Sequence, residues 1–272
     1  MNIYCVLPLN SFEFGGRIKK NSGEKEIFMA VKAIVFDKDG TLVDFDKLWI
    51  PAAVAMASRV FSHFGAGLDM LDEYLFSIGV RDGFVDIRGA LPRGDYRAVT
   101  ENMKNCLVSS GIECDYATLY PLCVSVYSGE AKQEENIYPI CDGLRESLIR
   151  LKERGLTLAV ITGDALDGAL MCFDKLGITD LFDEIFAYDG IHSPKPDSYF
   201  MDVFCEKHGF LPSEVVMVGD TETDMLFAKN AGVYPLGVGK TEENREHLLS
   251  VGASAAVFDI SFIPDWLCEA QD

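Results

Sequence analysis

The sequence predicts an α/β fold in which a parallel sheet carries helices on both faces. From about residue 140 onward, short apolar runs rich in β-formers alternate with amphipathic helical patterns, and this alternation is typical of βαβ units. One earlier apolar run, at 32–36, fits the same sheet as its first strand. Between this run and residue 140, roughly 95 residues show helical patterns without that alternation. We therefore expect a helical domain inserted directly after the first strand.

The N-terminal residues fit neither of these parts. They contain a short apolar run followed by a basic, polar stretch, without the leading positive charge or the clear cleavage site of a secretion signal. The predicted domains are an N-terminal extension at 1–28, a core domain at 29–46 and 137–272, and a helical cap domain at 47–136.

The individual elements follow from local patterns. Four helical patterns of the inserted domain begin at Trp49, Met70, Tyr96 and Tyr116. Strand patterns of the core cover 157–161, 184–188, 214–218, 234–238 and 255–258. Helical patterns lie between them at 141–155, 164–177, 195–209, 223–232 and 242–250. Asp142 and Asp164 are placed to cap two of these helices, and Pro196 is placed near the first turn of a third.

The composition argues against several classes of protein. The 272 residues carry a net charge of −19, which disfavours nucleic-acid binding because phosphate contacts need clustered Lys and Arg. No apolar window approaches the ~18 residues that suggest a membrane span. The eight cysteines include no C-x-x-C pair, so buried reduced thiols in a cytoplasmic protein are favoured over disulfides or a zinc site.

Candidate site residues follow four of the predicted strands. In chain order they are Asp37, Asp39, Gly40, Thr162, Gly163, Lys195, Asp220 and Asp224. Ligands of an open parallel sheet bind outside the carboxyl ends of its strands. We therefore expect these residues to converge at one edge of the sheet.

The residue types predict phosphoryl transfer. Asp37 and Asp220 can jointly hold Mg²⁺, which prefers a few carboxylates together with waters and substrate oxygens. A carboxylate such as Asp37 can attack phosphorus and form an acyl phosphate. The second acid, Asp39, can protonate the leaving oxygen and later deprotonate the attacking water.

Three kinds of group are candidates for holding the phosphoryl oxygens. They are the backbone N–H groups of the Asp39–Gly40 turn, the Thr162 hydroxyl and the Lys195 ammonium. A local cation such as the Lys195 ammonium is needed because the overall negative charge of the chain repels an anionic substrate.

The order and spacing of these residues resemble the haloacid dehalogenase superfamily. The motifs are Asp37-x-Asp39-Gly40-Thr41, Thr162-Gly163, Lys195 and Gly219-Asp220-Thr221-x-x-Asp224. Together they span the whole core, from 32 to 258. Within the superfamily the chain is most similar to phosphoglycolate phosphatases, on the position of the cap, on "SPKPD" and "VGDTETD", and on the C-terminal tail.

The resemblance implies a Rossmann-like core, a mobile helical cap and Mg²⁺-dependent phosphoryl transfer through an aspartyl phosphate. It implies that Asp37 is the nucleophile and a metal ligand, and that Asp39 is the acid/base and binds the metal through its backbone carbonyl. Asp220 would be a further metal ligand, and Asp224 would support the metal site. The implied phosphate-binding residues are Gly40, Thr162, Gly163 and Lys195.

The expected function is Mg²⁺-dependent hydrolysis of a small phosphorylated metabolite, with 2-phosphoglycolate as the best single candidate. A sugar phosphomutase with a similar core and cap is one alternative, and a catalytically idle interaction module is another. We expect a cytoplasmic monomer or homodimer, with neither nucleic acid nor membrane as a partner.

Four arginines of the inserted domain, Arg81, Arg88, Arg93 and Arg97, stand out in this acidic chain. One interpretation is a solvated helix face with ion pairs to neighbouring aspartates. The other is that one or two of them meet a substrate carboxylate when the cap closes. The sequence leaves both open.

Overall fold

The computed structural model describes residues 31–86, 88–92, 96–130 and 133–269. The predicted extension at 1–28 lies outside these residues. Contacts divide the chain into two compact units, one consisting of the residues up to Val43 and from Pro139 onward, the other of Asp44–Tyr138. These divisions fall within three residues of the predicted boundaries. The assignment of the second unit as a cap domain stays a prediction.

Strands in the described residues are numbered in chain order. They are β1 Ala33–Phe36, β2 Val80–Arg81, β3 Phe84–Val85, β4 Thr157–Ile161, β5 Glu184–Phe186, β6 Val215–Gly219, β7 Tyr234–Val238 and β8 Ala255–Val257.

Six of these strands form a parallel sheet in the first unit, in the order β5-β4-β1-β6-β7-β8. The central strand β1 pairs with β4 on one side and β6 on the other, and Phe36 lies opposite Val160 and Val218. This register brings the carboxyl ends of the three strands to the same edge of the sheet. The predicted α/β fold class is confirmed.

Helices longer than one turn are likewise numbered in chain order. Those of the second unit are α1 Phe45–Phe64, α2 Leu71–Ser77, α3 Tyr96–Ser109 and α4 Tyr116–Glu130. Those of the first unit are α5 Leu144–Glu153, α6 Leu166–Leu176, α7 Tyr199–His208, α8 Glu222–Ala231, α9 Glu242–Ser250 and α10 Ile263–Glu269. The sequence patterns did not indicate α10.

The core of the first unit explains the apolar strand sequences. Every residue of β1 and of β6 is buried, as expected for parallel strands covered on both faces. On one face Val35 and Met217 belong to the same buried cluster as Phe204 of α7 and Phe227 of α8. This packing fixes the strand ends from which the candidate site residues project.

Three predicted helix starts are wrong in detail. Helix α5 is preceded by Gly143, in a left-handed conformation, and α6 by Ala165, and neither has a side-chain cap. Asp142 and Asp164 therefore do not cap these helices. Helix α7 begins at Tyr199, so Pro196 lies in the preceding loop.

The second unit contains a short β2–β3 hairpin that the helical patterns did not indicate. Its turn is Asp82–Gly83, with φ of 50° and 81°, and a D-G pair is favoured in tight hairpin turns because both residues tolerate positive φ. Arg81 lies on β2 over the Phe76 ring, at 4.4 Å.

The arginine-rich stretch is thus not one helix face. Arg88 forms an ion pair with Asp86, with Nε 3.0 Å from Oδ1. For this residue the structure agrees with the interpretation of ion pairs to neighbouring aspartates. Arg93 lies outside the described residues. Contact of these arginines with a substrate stays a prediction.

Two expectations about the whole chain can be compared with the described residues. None of the helices found there has the length and apolar character that crossing a membrane requires. The cysteines described are all free, and four of them, Cys106, Cys123, Cys172 and Cys205, are buried.

Candidate active site

A compact turn after β1 presents the first two acids. The Asp37 N–H donates to the Val218 carbonyl of β6, at 2.8 Å, and continues the strand pairing by one residue. The Lys38 carbonyl then accepts hydrogen bonds from the N–H groups of Leu42 and Val43, at 2.8 and 2.9 Å. These bonds fix the backbone on both sides of Asp39.

Gly40 is needed in this turn for two physical reasons. Its φ is +79°, a conformation that L side chains rarely adopt, and a Cβ there would lie 2.0 Å from Oδ2 of Asp220. The next residue, Thr41, is fully buried and its hydroxyl donates to Oδ1 of Asp220 at 3.2 Å. Within the D-G-T sequence, Gly40 therefore leaves space for the Asp220 carboxylate and Thr41 holds it by a hydrogen bond. Thr41 was part of the motif, but it had no predicted role.

The Gly40 N–H takes part in the turn itself. It donates to the Val43 carbonyl at 2.8 Å, so it closes the turn in this structure. That this turn holds a phosphoryl oxygen through its N–H groups stays a prediction. The contribution of Gly40 that is visible here is the absence of a side chain.

Asp220 and Asp224 come from the junction of β6 and α8. Thr221 caps the helix and accepts from the Asp224 N–H at 3.3 Å, while the Asp224 carboxylate accepts from the Thr221 hydroxyl at 2.6 Å. A Cβ on Gly219 would lie 2.3 Å from the Cβ of Asp224, so glycine is required for this close approach. Asp224 is 1% exposed, which is unusual for an unmodified carboxylate unless it is paired.

Lys195 supplies the cation that pairs with this carboxylate. It lies in the loop between β5 and α7, and its ammonium is 2.5 Å from Oδ1 of Asp37 and 2.6 Å from Oδ1 of Asp224. We call Asp37, Lys195, Asp220 and Asp224 the Lys195 cluster. Its members come from three segments that follow β1, β5 and β6, and Asp224 lies in the first turn of α8.

The Lys195 cluster carries more negative than positive charge. One ligand oxygen from each of Asp37, Asp220 and Asp224 lies within 4.8 Å of the others, and the one ammonium of the cluster pairs with two of these acids, Asp37 and Asp224. Burial raises the pKa of Asp37 to about 7 despite the attraction of Lys195. Burial also raises the pKa of Asp220 well above its usual range, with the Asp37 charge adding to the effect.

These residues fit a divalent cation. With all three carboxylates ionised, the single ammonium leaves two negative charges uncompensated. The donor atoms are all carboxylate oxygens, which suit Mg²⁺ better than a softer metal. Lys195 and Thr221 already donate hydrogen bonds to the Asp224 oxygens, which favours the predicted role of Asp224 in supporting the metal site.

A second group of charges lies beside the first. The ammonium of Lys38 is 2.6 Å from Oδ1 of Asp39 and 2.9 Å from Oδ2 of Asp164. We call these three residues the Lys38 cluster. Burial disfavours the ammonium, but Asp39 and Asp164 together raise the pKa of Lys38 above its ordinary value, so the side chain stays charged. The sequence patterns did not single out Lys38, although a lysine directly after an apolar strand was a visible signal.

The predicted phosphate-binding loop after β4 is joined to this second cluster. Thr162 is 5% exposed, and its hydroxyl accepts from the Asp164 N–H at 3.2 Å. Gly163 faces open space on the side where a Cβ would stand. Through the Lys38–Asp164 ion pair, the loop of Thr162 and Gly163 is tied to the loop of Asp39.

Comparisons with known proteins agree with this architecture. The family profile described as "Hydrolase: haloacid dehalogenase-like hydrolase" matches residues 31–232. A phosphoglycolate phosphatase from Chromobacterium violaceum is 28% identical over 236 residues, which are 85% of this chain and 96% of that protein. The pyrophosphatase PpaX of Bacillus velezensis is 28% identical over 225 residues, covering 80% of this chain and 88% of that protein.

A solved structure shows the same fold. A hydrolase of the haloacid dehalogenase superfamily, subfamily IA, from Geobacter sulfurreducens has a TM-score of 0.60 at 20% identity, covering 88% of this chain and 97% of that one. The predicted superfamily and hydrolase class are confirmed, and the phosphatase names of the relatives support the predicted class of enzyme. From its motifs, its sheet and the family profile, the chain belongs to the haloacid dehalogenase-like hydrolases.

Proposed function

We propose that this protein is a Mg²⁺-dependent phosphomonoester hydrolase that forms an aspartyl phosphate on Asp37. The observation that carries the proposal is the Lys195 cluster, in which three carboxylates meet within 4.8 Å and an ammonium contacts the proposed nucleophile. A buried excess of negative charge is costly unless a cation joins it. The same cation would attract the anionic substrate.

Asp37 and Asp220 would hold the Mg²⁺ through their side chains, Asp39 would add its backbone carbonyl, and Asp224 would support them through Lys195. When bound, the metal would neutralise charge on the phosphoryl oxygens and on the nucleophilic carboxylate. Thr41 would keep Asp220 in place through its hydroxyl, which already donates to that carboxylate.

The first half-reaction transfers the phosphoryl group to the enzyme. A carboxylate oxygen of Asp37 forms a bond to phosphorus while the bond from phosphorus to the leaving oxygen breaks. Asp39 gives its proton to that oxygen, which departs as an alcohol. Lys195, Thr162 and Gly163 hold the phosphoryl oxygens, and the Lys195 ammonium stands next to the attacking carboxylate.

The second half-reaction restores the enzyme. Asp39, now ionised, takes a proton from water as the water oxygen bonds to phosphorus. The bond from phosphorus to the Asp37 oxygen breaks, and inorganic phosphate leaves. Uncatalysed hydrolysis of phosphomonoesters needs acceleration of up to ~10²¹-fold, which is why nucleophile, acid/base, cation and phosphate clamp are all assigned.

For the substrate we propose a small phosphorylated metabolite, with 2-phosphoglycolate first. The relative from Chromobacterium violaceum is named as a phosphatase of that compound and is matched over almost its whole length. The Bacillus velezensis relative is named a pyrophosphatase, so pyrophosphate is the second compound to test. A cytoplasmic location and a monomeric or homodimeric state remain predictions from the sequence.

The test is release of inorganic phosphate from a panel of metabolites, with Mg²⁺ and with EDTA. We expect Mg²⁺-dependent release, fastest from 2-phosphoglycolate, and no release by the Asp37→Asn variant. Isomer formation from a sugar phosphate without net release would instead indicate the phosphomutase. Full activity in EDTA, or none on any compound with Mg²⁺, would overturn the proposal.

A further inference from the structure

Lys38 has no part in the mechanism above, yet its environment is the most constrained of any lysine in the described residues. Its side chain is 0% exposed, whereas lysines are almost never fully buried unless they are paired. The buried ammonium meets one carboxylate from its own loop, Asp39, and one from the loop after β4, Asp164.

Its backbone is held as firmly as its ammonium. The Lys38 carbonyl accepts from Leu42 and Val43 and therefore closes the turn. Asp164 is held at its own carbonyl, which accepts from the Tyr188 N–H at 2.9 Å, and at its N–H, which donates to Thr162. The ammonium thus links two segments of fixed backbone, and it donates a hydrogen bond to Oδ1 of Asp39 at 2.6 Å.

This attachment matters because of what Asp39 does in the proposed reaction. A general acid or base must lie within hydrogen-bond reach of the proton that it moves, and a misplacement of about 1 Å can cost ~10²-fold in rate. The Asp39 side chain is 19% exposed, and the Lys38 ammonium holds its Oδ1 at 2.6 Å. This ion pair fixes the direction in which the carboxylate points.

We propose that Lys38, anchored by Asp164, is a positioning residue that orients the Asp39 carboxylate for both proton transfers and ties it to the phosphate-binding loop. The proposal rests on the proposed function, since Asp39 must be the acid/base. A residue that only stabilised the fold would affect all steps of the reaction alike. Loss of Lys38 should slow the proton-transfer steps selectively.

The test compares two substrates that need Asp39 to different degrees. 2-Phosphoglycolate, or the alkyl monoester that the panel selects in its place, leaves as an alkoxide that must be protonated. p-Nitrophenyl phosphate releases a stable anion that departs without a proton, so forming the phosphoenzyme from it does not need the acid. Hydrolysis of the phosphoenzyme still needs Asp39 as the base.

For Lys38→Met we expect kcat/KM on the alkyl ester to fall about 10²-fold while kcat/KM on p-nitrophenyl phosphate stays near the wild-type value. With the aryl ester, kcat and KM should fall together, and a burst of p-nitrophenol should appear, because phosphoenzyme hydrolysis becomes limiting. Lys38→Arg should recover part of the alkyl-ester rate by restoring the charge.

The matched control is Lys152→Met. Lys152 also pairs with a carboxylate, Asp183, at 2.6 Å, but it takes no part in the proposed site. The Lys152→Met variant should change kcat/KM for both substrates by the same factor or leave both unchanged.

A double variant, Lys38→Met with Asp39→Asn, adds a second measurement. Since Lys38 acts through Asp39, its loss should have no further effect in the Asp39→Asn background.

Because a buried lysine is removed, Lys38→Met has to be checked by its thermal unfolding. If it does not fold, Asp164→Asn, which keeps the Lys38–Asp39 pair but weakens its anchor, should show the same substrate selectivity at smaller size. Equal losses on both substrates, or full additivity with Asp39→Asn, would overturn the role of Lys38 while leaving the phosphatase intact. A wild-type protein inactive on both substrates would overturn the proposed function, and this proposal with it.

Discussion

The two lysine clusters at this edge of the sheet are built from the same residue types but differ in their charge balance and burial. In the Lys195 cluster one ammonium stands against three carboxylates and pairs with two of them; the side chains of Asp37 and Asp224 are 11% and 1% exposed, and Asp220 is half-buried. In the Lys38 cluster one ammonium serves two carboxylates, and those of Asp39 and Asp164 are 19% and 25% exposed. Water can therefore solvate the excess charge of the second cluster but reaches the first much less.

The difference teaches what each arrangement is suited for. A buried site with two uncompensated negative charges is unfavourable by itself and favours the binding of a divalent cation. A nearly balanced, partly solvated site has no such need, and its ion pairs instead fix the direction of a side chain. Each prediction below changes one property of the Lys195 cluster and leaves the other cluster as the reference.

The largest effect is expected from Asp37→Asn. The amide keeps the size of the side chain but cannot act as a nucleophile, so turnover should fall by at least about 10⁴-fold with the fold retained. Phosphate release and circular dichroism measure the two properties. The matched control is Asp189→Asn, which removes an exposed carboxylate from the loop of Lys195 and should leave turnover close to wild type. Substantial activity in Asp37→Asn would remove it as the nucleophile.

A smaller loss is expected from Gly40→Ala, which acts on the cluster through a single methyl group. The new Cβ would lie 2.0 Å from Oδ2 of Asp220, so this carboxylate must move, and we expect kcat/KM to fall about 10²-fold with weaker Mg²⁺ dependence. The control is Gly155→Ala, because Gly155 also has a φ of +79° but open space around its Cβ position. Both variants should lose about 1 kcal/mol of stability from the strained backbone. Equal activity in the two variants would show that the Asp220 position does not matter.

Mg²⁺ itself should stabilise the folded protein. A ligand that binds only the native state contributes about 2.7 kcal/mol at 100 times its dissociation constant, so the melting temperature should rise with Mg²⁺ concentration. Asp220→Asn should reduce this rise, because it removes one of the three charges. Asp164→Asn should keep it, because the Lys38 cluster is not expected to bind the metal. An equal rise in all three proteins would place the cation elsewhere.

The sequence predicted the parts of this edge that depend on local pattern. Buried parallel strands such as β1 read as continuous apolar runs, and the residues directly after them must lie at the carboxyl edge. Pairings between loops could not be read in this way. Nothing local distinguishes Asp164 as a partner of Lys38 from a helix cap, since both uses place an aspartate before a helix. The β2–β3 hairpin escaped notice because two-residue strands are too short to show alternation.

The smallest expected effect is the pH dependence of stability without metal. Burial raises the pKa of Asp37 from 3.8 to about 7 in the folded chain, so the folded state holds a proton that the unfolded state has lost between these values. The stabilisation from that proton is fully present below about pH 4 and is lost as the pH rises towards 7.

Asp37→Asn cannot titrate at this position, so in EDTA its stability relative to wild type should increase from about pH 5 to about pH 8. We expect a change on the order of 1–3 kcal/mol, or roughly 3–10 °C in melting temperature. The control here is Asp115→Asn. Hydrogen bonds from the Thr118 hydroxyl and N–H lower the pKa of Asp115 below its ordinary value. Since both values lie below this window, the difference between Asp115→Asn and wild type should stay constant across it. A difference for Asp37→Asn that is also constant would mean that Asp37 is ionised in the metal-free protein, and that Asp220, whose pKa is also raised, holds the proton of the Lys195 cluster instead.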